Sequence, residues 1–154
     1  MEDLIPYYFS FSSFTSVANR YKLLSEVASL VDLEKKISPI LRSEEISKIQ
    51  TAAKILKLET EKRGVQVIDF YHPSYPALLK QIDKPPIILF CKGNLDLLQY
   101  DLVSVVGTRK PSQISNLATS LLPEMLAKSR NLGIVSGVAT GIDRTVMLAS
   151  LEAN

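Results

Sequence analysis

The spacing of apolar residues changes along the chain. Up to about residue 63 they recur at intervals of three and four, and from residue 65 they gather into short runs separated by turn residues. Intervals of three and four place side chains on one face of a helix, whereas a short apolar run between turns is typical of a buried strand. The pattern therefore predicts a small helical domain over residues 1–64 and an α/β domain over residues 65–154.

Two main helices are predicted in the first domain. Thr15 can cap a helix that reaches about Val31, with one apolar stripe on its surface. The second helix should start at Ser43, carry acidic residues in its first turn and stop before Gly64. The aromatic opening segment, residues 4–11, is expected to pack in the core of this domain.

The second domain is predicted to alternate strands with helices. Its expected elements are strands at Val65–Asp69, Ile87–Cys91, Leu102–Val106 and Gly133–Val135, a short helix at Ala77–Ile82, and a helix from near Ser115 toward Asn131. In that last helix, Leu117, Leu121, Met125 and Leu126 are expected to point inward, and Pro123 interrupts the pattern. The order of elements favours a parallel sheet whose two glycine-bearing strand ends open on one crevice.

These strand ends carry residue types that suit a phosphate. Glycines let backbone N–H groups approach an anion, short hydroxyls donate hydrogen bonds, and a guanidinium can hold a phosphate with two hydrogen bonds. The predicted phosphate-binding residues are Gly107, Thr108, Arg109, Ser112, Ser136, Gly137 and Gly141. The alternative is that the glycines only form tight turns and Arg109 is a solvated surface charge.

Several kinds of site are not expected. The first turn has one glycine where the dinucleotide-binding motif needs three, and there is no Walker-type Gly-Lys-Ser/Thr sequence, so no nucleotide cofactor is predicted. His72, the only histidine, has no Cys, Asp or Glu at metal-binding spacing, so no metal site is predicted. Asp143 is the only acid near the turns and is interpreted as a helix cap, which leaves no candidate catalytic residue. Cys91 is interpreted as a small buried apolar residue.

Charge and hydropathy add little to this interpretation. The net charge is +2, and the excess lies in residues 103–154, which carry 5 basic and 3 acidic groups. The N-terminus lacks the basic start of a signal peptide, and no apolar run reaches the ~18 residues of a membrane span. A cytoplasmic protein without a membrane partner is expected.

Four motifs in order resemble the DNA-processing protein A (DprA, or Smf) family. They are Tyr75-Pro76-x-x-Leu79, Pro85-Pro86-x-x-Leu89-Phe90-x-x-Gly93, Val105-Val106-Gly107-Thr108-Arg109-x-x-Ser112 and Ser136-Gly137-x-Ala139-x-Gly141-Ile142-Asp143. The resemblance is close over roughly residues 65–151. Ile114-Ser115 and Val146-Met147 stand where members commonly have Tyr-Gly and Ala-His.

The resemblance implies a small SAM-like helical domain followed by the first part of an extended Rossmann-like domain. It also implies binding of single-stranded DNA, loading of a RecA-type recombinase during DNA uptake in natural transformation, and a homodimer. Because the family's Rossmann-like domain is longer, the chain is expected to stop within it and to leave a strand edge uncovered. Two alternatives remain: a truncated, non-functional fragment, and a phosphoribohydrolase-like enzyme that binds nucleotide phosphate.

Overall fold

A computed structural model describes residues 4–11, 15–128 and 132–153 of the 154-residue chain. The chain forms two compact units, Met1–Leu95 and Asp96–Asn154. This division differs from the predicted domain boundary after residue 64, because the first two strands fall in the same unit as the N-terminal helices. Among the described residues, no helix is both long and apolar enough to cross a membrane.

The first unit has a helical core. Its helices are α1 (Ile5–Ser10), α2 (Val17–Glu26), α3 (Leu30–Ile37) and α4 (Ser43–Lys62). The predicted packing of the aromatic opening segment is confirmed, since Tyr8 and Phe9 are almost fully buried beside Leu33 and Ile37. The Tyr8 hydroxyl donates a 2.7 Å hydrogen bond to Glu34 Oε1, and burial raises the pKa of Tyr8 well above its usual range.

The prediction of one helix from Thr15 to Val31 is wrong. Ser16 caps α2 by accepting a hydrogen bond from the Asn19 N–H, and the helix ends at Glu26. Ser29 then caps a separate helix by accepting a hydrogen bond from the Asp32 N–H. A serine with an acid three residues later is a helix start signal, and here it outweighs the continuity of the apolar stripe. The predicted α4 is confirmed from Ser43, and Gly64 follows it with φ 63°.

Strands β1 (Gln66–Asp69) and β2 (Ile88–Cys91) pair antiparallel in a sheet of their own. Within the described residues they form no ladder with the strands of the second unit, so the sheet expected from the order of elements is two separate sheets. The short helix predicted at Ala77–Ile82 is a single 3-10 turn at Leu79–Gln81, preceding two prolines that leave no room for a longer helix. Cys91 is half-buried, and burial raises the pKa of its thiol, which disfavours the reactive thiolate.

The second unit is a β-α-β-α arrangement. Strands β3 (Asp101–Ser104) and β4 (Leu132–Val135) are parallel, with Leu102 opposite Gly133 and Ser104 opposite Val135. Helix α5 (Gln113–Ala127) connects them, and α6 (Ile142–Glu152) follows β4 and packs against α5. The predicted parallel pair is thus confirmed. Strand β3 ends two residues earlier than predicted, and Val106 is exposed.

Helix α5 turns its apolar stripe outward. Leu117, Leu121 and Met125 were expected to point inward, yet they are 64%, 50% and 63% exposed. Thr119 and Pro123 are buried instead. Leu126, the fourth residue expected to point inward, is half-buried and lines a cavity with Ile134 of β4 and Met147 of α6. Helix α5 therefore packs against β4 and α6 through one edge of its apolar side, and the other three side chains face away. Pro123 lies inside the helix without ending it, and the predicted end at Asn131 lies outside the described residues.

Candidate functional site

Both glycine turns lie at the same edge of the β3–β4 sheet. The first, residues 105–112, connects β3 to α5, and the second, residues 136–141, connects β4 to α6. Because β3 and β4 run parallel, the loops that follow them share the carboxyl edge. The two turns therefore meet at one edge, as the sequence predicts, and we call the region between them the crevice. The contacts between the turns decide which groups a ligand can reach.

The base of this crevice is closed by hydrogen bonds between the two turns. The Val105 N–H donates to Val135 O at 3.0 Å, and the Ile142 N–H donates to Thr108 O at 3.2 Å. The Arg144 N–H donates to Ala139 O at 3.0 Å. Two of the first three N–H groups of α6, those of Ile142 and Arg144, are thus already paired, which leaves fewer donors for an anion than the glycine turn suggested.

Asp143 completes the closure. It lies in the first turn of α6, is 6% exposed, and accepts a hydrogen bond from the Gly107 N–H at 3.2 Å through Oδ1. Its interpretation as a helix cap is wrong, because Gly141 is the N-cap residue and the carboxylate binds the other turn. A phosphate at the Gly107 amide would have to displace a carboxylate of like charge.

The glycines are needed for close packing. A Cβ on Gly107 would lie 2.8 Å from Ile142 Cβ, and one on Gly137 would lie 3.0 Å from Asp143 Oδ2. Gly141 has φ 92°, and a Cβ there would overlap Thr108 O and lie 2.7 Å from Arg109 Cα. These three predicted phosphate-binding residues therefore bring the two turns into contact, which is the alternative role considered from sequence.

The second turn also holds backbone strain. Val138 has φ 56°, a left-handed conformation that is costly for a β-branched residue. The Ser136 hydroxyl oxygen, beside this strained residue, is buried and has no hydrogen-bond partner among the described residues. As the loop stands, Ser136 Oγ is closed off from the crevice, so this predicted donor reaches a phosphate only after the turn moves.

The donor groups that an anion can reach lie on the rim formed by residues 108–112. Arg109 and Lys110 are exposed, and the Arg109 side chain has no ion pair or hydrogen bond within the described part of the chain. Thr108 shapes this rim, since its Oγ1 accepts a hydrogen bond from the Lys110 N–H at 3.1 Å. We define the Thr108–Ser112 segment with the start of α5 as the basic rim.

The start of α5 provides the open helix end. Ser112 is its N-cap, and Ser112 Oγ accepts a hydrogen bond from the Ser115 N–H at 3.1 Å. The N–H groups of Gln113 and Ile114 precede the first intrahelical donor and stay available to an anion. The structure thus brings Arg109, Thr108 and Ser112 together beside one helix N-terminus.

Sequence reasoning missed two cations beside this site and assigned one acid the wrong role. Lys110 and Arg144 are exposed cations next to predicted positions, and the local excess of basic residues was the signal that could have found them. Asp143 was noticed but given the wrong role, because its partner lies 36 residues away in the chain. The acids Glu124 and Glu152 lie near the far ends of α5 and α6, away from the rim.

Comparison with known families matches residues 66–154 to the DNA recombination-mediator protein A family. The chain is 32% identical over 131 residues to the DNA processing protein DprA of Bacillus subtilis. It is 42% identical over 78 residues to the DprA of Streptococcus pneumoniae. These alignments cover 75% and 51% of this chain, and 43% and 27% of the relatives.

The fold is likewise similar to a solved structure. The crystal structure of DprA from Streptococcus pneumoniae superposes with a TM-score of 0.66 at 27% identity, over 99% of this chain and 55% of that one. The chain therefore spans about half the length, or less, of the relatives it matches.

Proposed function

The chain belongs to the DNA recombination-mediator protein A family, and from this premise we propose that it binds single-stranded DNA through the basic rim. The supporting observation is the exposed, unpaired Arg109 beside the open N-terminus of α5. A guanidinium and free backbone N–H groups are the donors that phosphate oxygens take in protein–nucleic acid complexes. We further propose, from the family resemblance, that the protein acts with a RecA-type recombinase during DNA uptake and does so as a homodimer.

The rim is suited to the DNA backbone more than to its bases. The sequence has no aromatic residue after Tyr100, so the basic rim itself carries no ring on which a base can stack. Homopolymers of equal length should therefore bind within a few-fold of one another in anisotropy titrations. A strong preference for one base would show that a base-reading contact exists elsewhere.

Single-strand binding is tested by fluorescence anisotropy with the whole 154-residue chain. A labelled single-stranded oligonucleotide and its duplex are titrated at the same length and salt concentration. The proposal predicts tighter binding of the single strand, with affinity falling as salt rises because counterions are released from the phosphates. Absence of binding at low salt, or equal binding of duplex, would refute it.

A further inference from the structure

A buried carboxylate connects the two turns of the crevice. Asp143 Oδ1 accepts the Gly107 N–H, and Oδ2 lies 3.0 Å from the position that a Gly137 Cβ would occupy. We propose that Asp143 is a positioning residue that fixes the basic rim in its binding geometry. This inference rests on the proposed function for its effect on DNA, but its structural part can be tested without DNA.

Few other hydrogen bonds between described residues join the first turn to the rest of its unit. The β3–β4 ladder ends at Ser104, and beyond the Val105 hydrogen bond these bonds are at Gly107 and at Thr108 O. Of these contacts, the Gly107 hydrogen bond alone comes from a side chain. Arg109 follows only two residues later, so a shift of Gly107 displaces the backbone that carries the guanidinium.

The contact joins a backbone N–H to a carboxylate oxygen at 3.2 Å. A hydrogen bond to a charged group contributes more to stability than one between neutral groups. Removal of the acceptor leaves the Gly107 N–H without its partner and open to exchange with solvent. Asn has the shape of Asp and keeps an oxygen acceptor, so Asp143→Asn should preserve the link that Asp143→Ala removes.

The carboxylate also sets where a phosphate binds. With the Gly107 amide occupied by Asp143, negative charge lies at the base of the crevice and positive charge lies on the rim at Arg109 and Lys110. A phosphate is repelled from the base and attracted to the rim. Asp143 thereby keeps the DNA backbone on the outer side of the first turn.

The structural part is tested by amide hydrogen exchange on the free chain. In Asp143→Ala, exchange at Gly107 should speed up at least about tenfold, as expected for loss of a hydrogen bond to a charged group. Asp143→Asn keeps a neutral oxygen acceptor, so its exchange at Gly107 should be faster than in wild type but slower than in Asp143→Ala. Circular dichroism of both variants checks that the helices remain. Unchanged exchange at Gly107 in Asp143→Ala would overturn the proposal whatever the result with DNA.

The functional part is tested by a double-mutant cycle with a labelled single-stranded oligonucleotide. If Asp143 acts by positioning the rim, Arg109→Ala should weaken binding much less in the Asp143→Ala chain than in wild type. Independent, additive effects of the two substitutions would contradict positioning. The wild-type chain could fail to bind DNA while Asp143→Ala still speeds up amide exchange at Gly107. That result would refute the proposed function and support the structural role of Asp143.

Discussion

At the scale of single residues, the site is decided by which groups already have partners. The sequence places glycines, hydroxyls and an arginine directly after two predicted strands, which predicts that these groups lie close together. The parallel pairing of β3 with β4 confirms that the two turns share one edge. Sequence could not show that the Gly107 N–H is taken by Asp143, because that bond joins residues 36 positions apart. The crevice base is therefore packed, and the rim around Arg109 carries the available charge.

Gly141 should be the glycine least tolerant of substitution. Gly141→Ala combines a φ of 92° with overlap against the backbone of Thr108 and Arg109, so it should lower the free energy of unfolding by more than ~1 kcal/mol. Gly93→Ala is a matched control, because Gly93 has φ 105° but a Cβ there meets nothing within 4 Å. Chemical denaturation of both variants separates the two effects. Equal losses would mean that the contact between the turns contributes nothing.

At the scale of elements, local signals located helix starts better than they located helix faces. The acidic first turn and the glycine stop correctly marked α4, whereas the continuous apolar stripe after Thr15 gave no sign of the break before Ser29. For α5 the apolar spacing predicted a helix but not the side it buries. The buried face of a helix depends on the elements it packs against, here α6 and β4. The spacing of apolar residues within the helix does not identify those elements.

Ser112 belongs to both a helix and the proposed binding rim, and one pair of variants separates these roles. Ser112→Ala removes the cap of α5 and should cost about 1 kcal/mol of stability. Ser112→Asp keeps an acceptor for the Ser115 N–H and should retain stability, but its negative charge should weaken DNA binding. Thermal unfolding and anisotropy titration of both chains provide the measurements. If Ser112→Asp binds DNA as tightly as wild type, the start of α5 is not part of the site.

At the scale of the whole molecule, the second unit leaves much apolar surface uncovered. The exposed stripe on α5 consists of Ile114, Leu117, Leu121 and Met125, each at least half exposed. Within the described residues the β3–β4 sheet has only two strands, so each strand has an unpaired side. Contiguous apolar surface and open strand edges both favour association between molecules.

The chain should accordingly associate as its concentration rises. Size-exclusion chromatography of wild type is expected to show species larger than a monomer, and Leu117→Glu with Leu121→Glu should shift the profile toward the monomer by charging the stripe. Ser120→Glu, at an exposed position of the same helix outside the stripe, serves as the control. A wild-type chain that stays monomeric at all concentrations would show that the stripe does not cause association in solution.

The central claim, that Arg109 on the basic rim binds the DNA backbone, is tested most directly by the salt dependence of single-strand binding. Arg109→Ala should weaken binding at low salt and reduce the log–log salt slope by about 0.7, the value for one phosphate contact on a single strand. Arg63→Ala is the control, because Arg63 lies after α4 and pairs with Glu59. It should leave the slope unchanged. An Arg109→Ala chain with the wild-type slope would contradict the proposed site.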